Sequence, residues 1–365
     1  MTTGYHTQVS STLDSAKAGS VDVALADLEK KNPGKDKDLL YFMEKGELQR
    51  MKSDYPESIA AWNVADGKVR EWEEEVKTDP SKVMGQIGSF VINDTTRRYD
   101  GRDYEKVLLS VRLALDHVAQ GDWDSARVEV KKMHEREAII AEFRSKELED
   151  AKKKSEEKGL KTTSFKDLKG YPVETLDDPE VRALKNAYES AVANYLAGFV
   201  YESLGEPSLA AAGYRKAIEM RGGNHFLEQA LSGLDGRFGK RRGNGGLVDT
   251  LILVESGNAP AITSRMLPIP LPIPGKGGVR VVMTPLSWPV VEKADASVIP
   301  TSLMVNDKSL PLTMVTSVDH MARRAIADEM PGIIVRSSIR AIVKGAAQKA
   351  IQDNASGMAG AVLGI

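Results

Sequence analysis

The stretch from Asn194 to Met220, NYLAGFVYESLGEPSLAAAGYRKAIEM, limits what this chain can fold into more than any other. Gly198, Tyr201, Gly205, Ala210, Tyr214 and Ala217 stand where two helices packed as a hairpin need them. Small residues let the helices close, and the aromatics fill the gaps between them. The same frame can be laid on Gly121, Trp123 and Ala126, on Ser53, Tyr55, Ile59 and Trp62, and on Gly19, Val21, Ala24 and Leu28.

Gly19 and Ser53 lie 34 residues apart, the tetratricopeptide period. The predicted fold is therefore mainly α: a tetratricopeptide-like helical repeat domain over 1–221, a Gly/Arg-rich linker over 222–246, and a smaller α+β domain over 247–365 that ends in a helical tail. A stack of helical hairpins buries its core only between neighbours and presents a concave face to partners.

Taken in order, Val9 to Lys31 shows helical spacing broken at Gly19, and Asn32-Pro33-Gly34 stops it. Asp38 to Lys52 and Pro56 to Val76 form the next pair, with a cap signal at Ser53-Asp54. An irregular insertion over 81–101 replaces a repeat. Asp103 to Ala119 and Asp122 to about Lys158 follow, and the Lys/Glu-rich tail from Ser145 reads as an exposed helix extension. Glycines from Gly233 to Gly246, interleaved with Arg237, Lys240, Arg241 and Arg242, read as a flexible linker. Beyond it, Leu247 to Glu255, Val279 to Met283, Ser302 to Val305 and Leu310 to Val315 are strand candidates, the last two meeting at Asn306-Asp307. Pro268, Pro270, Pro272 and Pro274 exclude their segment from the inside of a sheet and predict an extended run along one. Val318 to Met330 and Gly332 to about Asn354 are helical, separated by Pro331.

The 365 residues are 41% hydrophobic, enough for a core in each of two domains. Fifty basic and 52 acidic residues leave a net charge of -2, so nothing draws the whole chain to nucleic acid or an anionic membrane. The absence of cysteine removes disulfides, thiolate catalysis and cysteine metal sites. Residues Met1 to Lys17 lack the apolar run of a signal peptide, and no window reaches the roughly 18–20 apolar residues of a spanning helix.

Val91-Ile92-Asn93-Asp94 through Tyr99, Gly101, Asp103, Tyr104 and Glu105, followed by VLLSVRLALDHVAQGDWDSARVEVKK, resembles a bacterial family. Its members are cell-envelope lipoproteins with tetratricopeptide-like repeats, often encoded beside lipoproteins that activate penicillin-binding proteins. YLAGFVYESLGEPSLAAAGYRKAIEM, the ESGNAP at Glu255 to Pro260 and the arginine-bearing tail from Ala322 to Lys344 resemble the same family in the same order. The resemblance implies an outer-membrane lipoprotein facing the periplasm, with no catalytic residues to carry over. Members carry a lipidated cysteine after a leader, which this sequence lacks, so the anchor is implied by the resemblance alone. Members also continue into a closing strand, whereas this sequence ends at Ile365.

Chemistry is harder to find. His6, His117, His134, His225 and His320 show no metal-ligand spacing, so no metal and no cofactor are expected. Gly236 to Gly246 offers glycines and cations for a phosphate but lacks the Walker spacing, and PGKGG at Pro274 to Gly278 reads as a turn. Asn93, Asp94, Arg97, Arg98 and Asp103 form a polar cluster that either binds a ligand or satisfies irregular backbone.

First helices of each pair line the concave face, and here they offer Met43, Glu47 and Arg50, then Tyr195, Phe199 and Glu202, as candidate partner-binding residues. Arg336, Arg340 and Lys344 make one cationic stripe opposite Ile334, Ile342 and Val343. That stripe fits an interfacial helix on anionic headgroups, or a helix packed on the strands with its arginines in water; the second is preferred. The functional expectation is a non-catalytic scaffold of the cell envelope that recruits a protein partner. The alternatives are a homo-oligomer assembled through the C-terminal region, and an enzyme of cell-wall or nucleotide chemistry.

Overall fold

The computed structural model describes residues 5–84, 99–157, 166, 170–241, 250–275, 278–291 and 299–339. The N-terminal helices come in pairs. These are α1 (Tyr5–Lys17) with α2 (Val21–Lys31) and α3 (Leu39–Met51) with α4 (Tyr55–Thr78). After α5 (Pro80–Met84) come α6 (Asp103–Ala119) with α7 (Trp123–Glu157); after α8 (Pro179–Arg182) come α9 (Ala191–Ser203) with α10 (Pro207–Met220).

One backbone device closes all four pairs. Gly19, Ser53, Gly121 and Gly205 have φ of 76°, 60°, 77° and 78°. The next amide reaches back to the carbonyl five positions earlier: Ser20 to Ser15 (2.9 Å), Asp54 to Gln49 (3.0 Å), Asp122 to His117 (2.9 Å) and Glu206 to Tyr201 (2.8 Å). A left-handed residue here satisfies helix-end carbonyls, and glycine adopts it without strain.

Counted from that residue, the positions seven back and nine forward are buried in every pair. They are Thr12 and Leu28, Gly46 and Trp62, Ala114 and Val130, and Gly198 and Tyr214. The first helix supplies the smaller member every time. The approach is closest where that member is glycine, since a Cβ on Gly46 would lie 2.6 Å from the Trp62 ring and one on Gly198 2.6 Å from the Tyr214 ring. Five positions forward stand Ala24, Ser58, Ala126 and Ala210, all wholly buried. The frame seen in the sequence is thus the packing register of the helices.

Buried charge ties one pair to the next. Arg136 on α7 donates to Asp66 (2.8 Å) and Glu73 (2.5 Å) on α4, and to Ser110 Oγ (3.0 Å) and the Lys106 carbonyl (2.9 Å) on α6. Lys216 on α10 pairs with Glu137 on α7 (3.2 Å) and with Glu189 (2.6 Å).

The glycine-rich stretch expected as a flexible linker over 222–246 is helical over most of its described part, forming α11 (His225–Ser232) and α12 (Leu234–Arg241). Residues 242–249 lie outside the described residues. Leu227, Ala230 and Leu234 are buried, an apolar face that the glycine count conceals. Arg237, taken for a linker cation, donates to both Glu202 oxygens (2.7 and 2.9 Å) and to the Ala230 carbonyl (2.6 Å). The charged tail of α7 also departs from expectation. Glu147, Ala151 and Ser155, four apart on one face, are buried, and Arg336 lies 3.1 Å from Glu147.

Further on, β1 (Ile262–Gly275) and β2 (Gly278–Val291) form a two-stranded antiparallel ribbon. A short hairpin of β3 (Ser302–Val305) and β4 (Lys308–Pro311) turns at Asn306-Asp307, both with positive φ, so its second strand begins earlier than expected. The last helix among the described residues, α13, is described over 318–339. A second core joins Leu267, Trp288 and Val290 at the ribbon's base to Met321, Ile326 and Met330 of α13, and takes in Tyr104 of α6 and Tyr171.

Three expectations change here. Pro268, Pro270, Pro272 and Pro274 do sit within a strand. The register pairs Pro268 with Pro285 and Ser264 with Pro289, so all six ribbon prolines share one parity. The Pro289 carbonyl accepts from Tyr171 Oη at 2.9 Å, so this parity is the one whose amide positions point away from the partner strand. A two-stranded ribbon consists only of edges, and there proline costs no ladder bond. Secondly, residues 250–255 of the expected strand Leu247 to Glu255 are in no sheet. Lastly, α13 continues through Pro331. Proline inside a helix costs about 3 kcal/mol, and burying Met330, Ile333, Ile334 and Val335 around it, at about 1.5–3 kcal/mol each, outweighs that.

Candidate functional site

Two arginines on first helices converge on one carboxylate from far along the chain. Arg50 Nη1 of α3 donates to Glu255 Oε2 at 2.9 Å, and Arg112 Nη1 of α6 donates to Glu255 Oε1. Each guanidinium is held from behind by an acid of the helices. Arg112 Nε lies 3.1 Å from Glu47, and Arg50 Nε lies 3.1 Å from Asp116. Asp116 is wholly buried and takes a 2.6 Å hydrogen bond from Ser58, whose Oγ is also 2.8 Å from the Gly46 carbonyl. Ser58 and Gly46 belong to the repeat register, so the packing that closes α3 on α4 also places Asp116, and through it Arg50.

The electrostatics follow. Burial pulls the Glu255 carboxyl upward, but Arg112 and Arg50 outweigh it and hold the group below its ordinary range. For Asp116 burial wins over Ser58 and Arg50, and the carboxyl is pushed up. The result is a clamp with one arginine donor for each oxygen of a carboxylate, two charge-assisted bonds from different helices.

Of the residues expected to bind a partner, Glu47 and Arg50 belong to this clamp, and Met43 sits partly buried on the same helix beside the Leu39, Trp62 and Val69 cluster. The α9 residues are used internally. Glu202 is 1% exposed, with its carboxylate on Tyr214 Oη (2.6 Å) and Arg237; Phe199 is buried against Trp123; Tyr195 packs between Tyr214 and Phe226, with ring centroids 5.3 and 5.1 Å away. Arg336 of the cationic stripe faces Glu147, and Arg340 and Lys344 lie outside the described residues. Arg112 and Asp116 were missed. Their signal was present: two opposite charges four apart in the otherwise apolar VLLSVRLALDHV.

The polar cluster suggested for an enzyme is only partly in view, because Asn93, Asp94, Arg97 and Arg98 lie outside the described residues. Asp103 is buried with Arg144 at 2.5 Å and Lys106 at 3.7 Å, and Arg144 also binds Glu329 of α13 at 2.9 Å. Among the described residues no three metal-ligating side chains converge, and no helix is long and apolar enough to cross a membrane.

Lys106 is the cation of this cluster that burial shifts downward. Its ammonium lies 3.6 Å from the Trp72 ring centre, and burial pushes it down to about 8, assisted by Arg144 and opposed by Asp103. A folded-state value below the unfolded one means the unfolded chain holds more protons between pH 8 and 10.5, so stability rises with pH across that window. At about 1.4 kcal/mol per unit, wild type should gain about 3 kcal/mol relative to Lys106→Met from neutral to alkaline pH. Urea unfolding of both proteins at the two ends measures it, and a constant difference between them refutes it.

No protein-family model matches the chain, and no curated protein sequence matches it. Among solved structures, a thermophilic TPR protein of Thermus thermophilus is 12% identical, covering 63% of this chain and 97% of its own, at a TM-score of 0.25. A tetratricopeptide repeat protein of Parabacteroides merdae is 12% identical over 63% of this chain and 98% of its own, at 0.16. The C-terminal part of a TPR repeat-containing protein of Cytophaga hutchinsonii is 15% identical over 60% and 84%, at 0.14. At such scores these likenesses carry no weight of their own, and the repeat rests on the register of the four buried pairs within this chain.

Proposed function

We propose that this chain is a non-catalytic protein-binding scaffold of the bacterial cell envelope, recruiting a protein partner through the first helices of its pairs. One observation carries the reading: Arg50 and Arg112 hold an extended stretch of polypeptide by a carboxylate, and each arginine is braced by its own acid. A surface of this kind supplies a charged anchor for a segment laid across the first helices. The envelope setting, on the periplasmic side of the outer membrane through a lipid anchor, is proposed from the resemblance of the segments beginning at Val91.

The test places a photo-crosslinking amino acid at Met43 in the full chain and exposes it to envelope extract of the source bacterium. The expected result is one protein crosslinked from Met43, identified by mass spectrometry and lost when Arg50→Glu and Arg112→Glu are added. Crosslinks unchanged by those two substitutions would sink the reading.

A further inference from the structure

The segment bound at the clamp belongs to this chain, and its pattern defines a ligand. Residues 250–255 lie in no sheet, yet burial alternates over 250–254, and Glu255 beyond them is 44% exposed while bonded to both arginines. Leu251 and Leu253 are partly covered, while Ile252 and Val254 are 43% and 46% exposed. Leu251 packs on the main helical core and Glu255 falls on the arginines, so the odd-numbered side chains face the helices, as period two requires of extended chain. Four residues at about 3.3 Å each span about 13 Å, roughly one and a half helix spacings.

Resting on the scaffold reading, we infer that residues 250–258 are an exchangeable internal occupant of the partner site. The partner's recognised element is then an extended segment of the form apolar-x-apolar-x-acid, whose carboxylate takes the place of Glu255. The occupant adds no strand to a sheet, and among the described residues Leu251 is its one apolar residue in a core cluster, at the margin. The clamp selects a singly charged carboxylate. It offers one Nη1 donor per oxygen, and Glu47 and Asp116 behind the arginines repel a second negative charge such as a phosphate would bring.

A tethered occupant competes at the high effective concentration of an intramolecular ligand. The probe is a fluorescein-labelled nonapeptide of the sequence TLILVESGN, residues 250–258, titrated into the full chain. Glu255→Gln should bind it at least about tenfold more tightly than wild type, because the internal competitor is weakened. Adding Arg112→Gln to that variant should abolish binding, and a peptide with glutamine for its glutamate should bind at least about tenfold more weakly. Excess peptide should also speed hydrogen exchange at the wild-type amides of 250–258, a readout that depends on no variant.

Equal affinity of wild type and Glu255→Gln overturns the inference, as does equal binding of the two peptides. Peptide binding that leaves exchange at 250–258 unchanged overturns it too, because the peptide then sits elsewhere. A partner crosslinked at Met43 without any peptide binding would reject the internal occupant and leave the scaffold reading standing. Peptide binding as described without a crosslinked partner would do the reverse.

Discussion

Arg136→Met lowers the unfolding free energy by about 3–5 kcal/mol, the usual cost of leaving buried charges without their partner. Arg136 is 2% exposed, and its removal strands Asp66 at 1% and Glu73 at 8%. It also takes away the hydrogen bonds that α7 gives to Ser110 Oγ and the Lys106 carbonyl. Arg70, 3.3 Å from Asp66 but 63% exposed, and Lys132, 3.6 Å away and one-third exposed, are too well hydrated to replace it, and neither reaches Glu73 with an ion pair among the described residues. The three elements joined here are α4, α6 and α7, so the loss should appear as early separation of the two pairs, read by hydrogen exchange at the facing helices. Adding Asp66→Asn and Glu73→Gln should recover much of the stability, because the uncompensated charges go as well. A single variant within about 1 kcal/mol of wild type in urea unfolding would show that the network contributes nothing net.

Gly213→Ala should destabilise by about 2–3 kcal/mol, although alanine in a helix interior is ordinarily worth up to about 1 kcal/mol over glycine. The sign reverses because of what the new methyl meets. A Cβ at Gly213 would stand 2.6 Å from the Gly198 amide nitrogen, 2.9 Å from its Cα and 3.0 Å from the Asn194 carbonyl. These are backbone atoms of α9, which move only if the whole helix moves. Gly198 is itself pressed on the Tyr214 ring, so the shift would unseat the aromatic as well. Gly67, in the middle of α4 with nothing within 4 Å of its Cβ position, is the control, and Gly67→Ala should stabilise by about 0.5–1 kcal/mol. Similar effects at the two glycines would mean that α9 and α10 are not in the close contact described.

The two variants also mark what was legible in the sequence. Glycine, alanine and aromatic residues at fixed offsets from a left-handed turn report a local event, a helix folding back on its predecessor. Gly19, Ser53, Gly121 and Gly205 could therefore be placed from nearby residues alone. The clamp could not, because Glu255 meets Arg50 across 205 residues and Arg112 across 143. Nothing local distinguishes a glutamate in ESGNAP from a solvated one. Composition misled where a long-range partner changes a residue's meaning. Arg237 is a linker cation until Glu202 is placed beside it, and the Lys/Glu-rich end of α7 is solvated until α13 brings Arg336 to Glu147. Among the α9 candidates, Glu202 reads as surface because an acid on a first helix normally is; a tyrosine hydroxyl and an arginine let it be buried.

The ribbon's prolines carry one more consequence. Along residues 268–274 the outer margin of β1 presents carbonyl oxygens at alternate positions with no hydrogen to offer beside them. An incoming chain seeking to lengthen the sheet there would find its own acceptors unanswered, so growth into a cross-β stack halts on that side. The β1 rim is thereby guarded, whereas the β2 rim, with proline only at Pro285 and Pro289, keeps outward amides at Val279, Val281 and Met283, so a chain that lengthens the ribbon must add there.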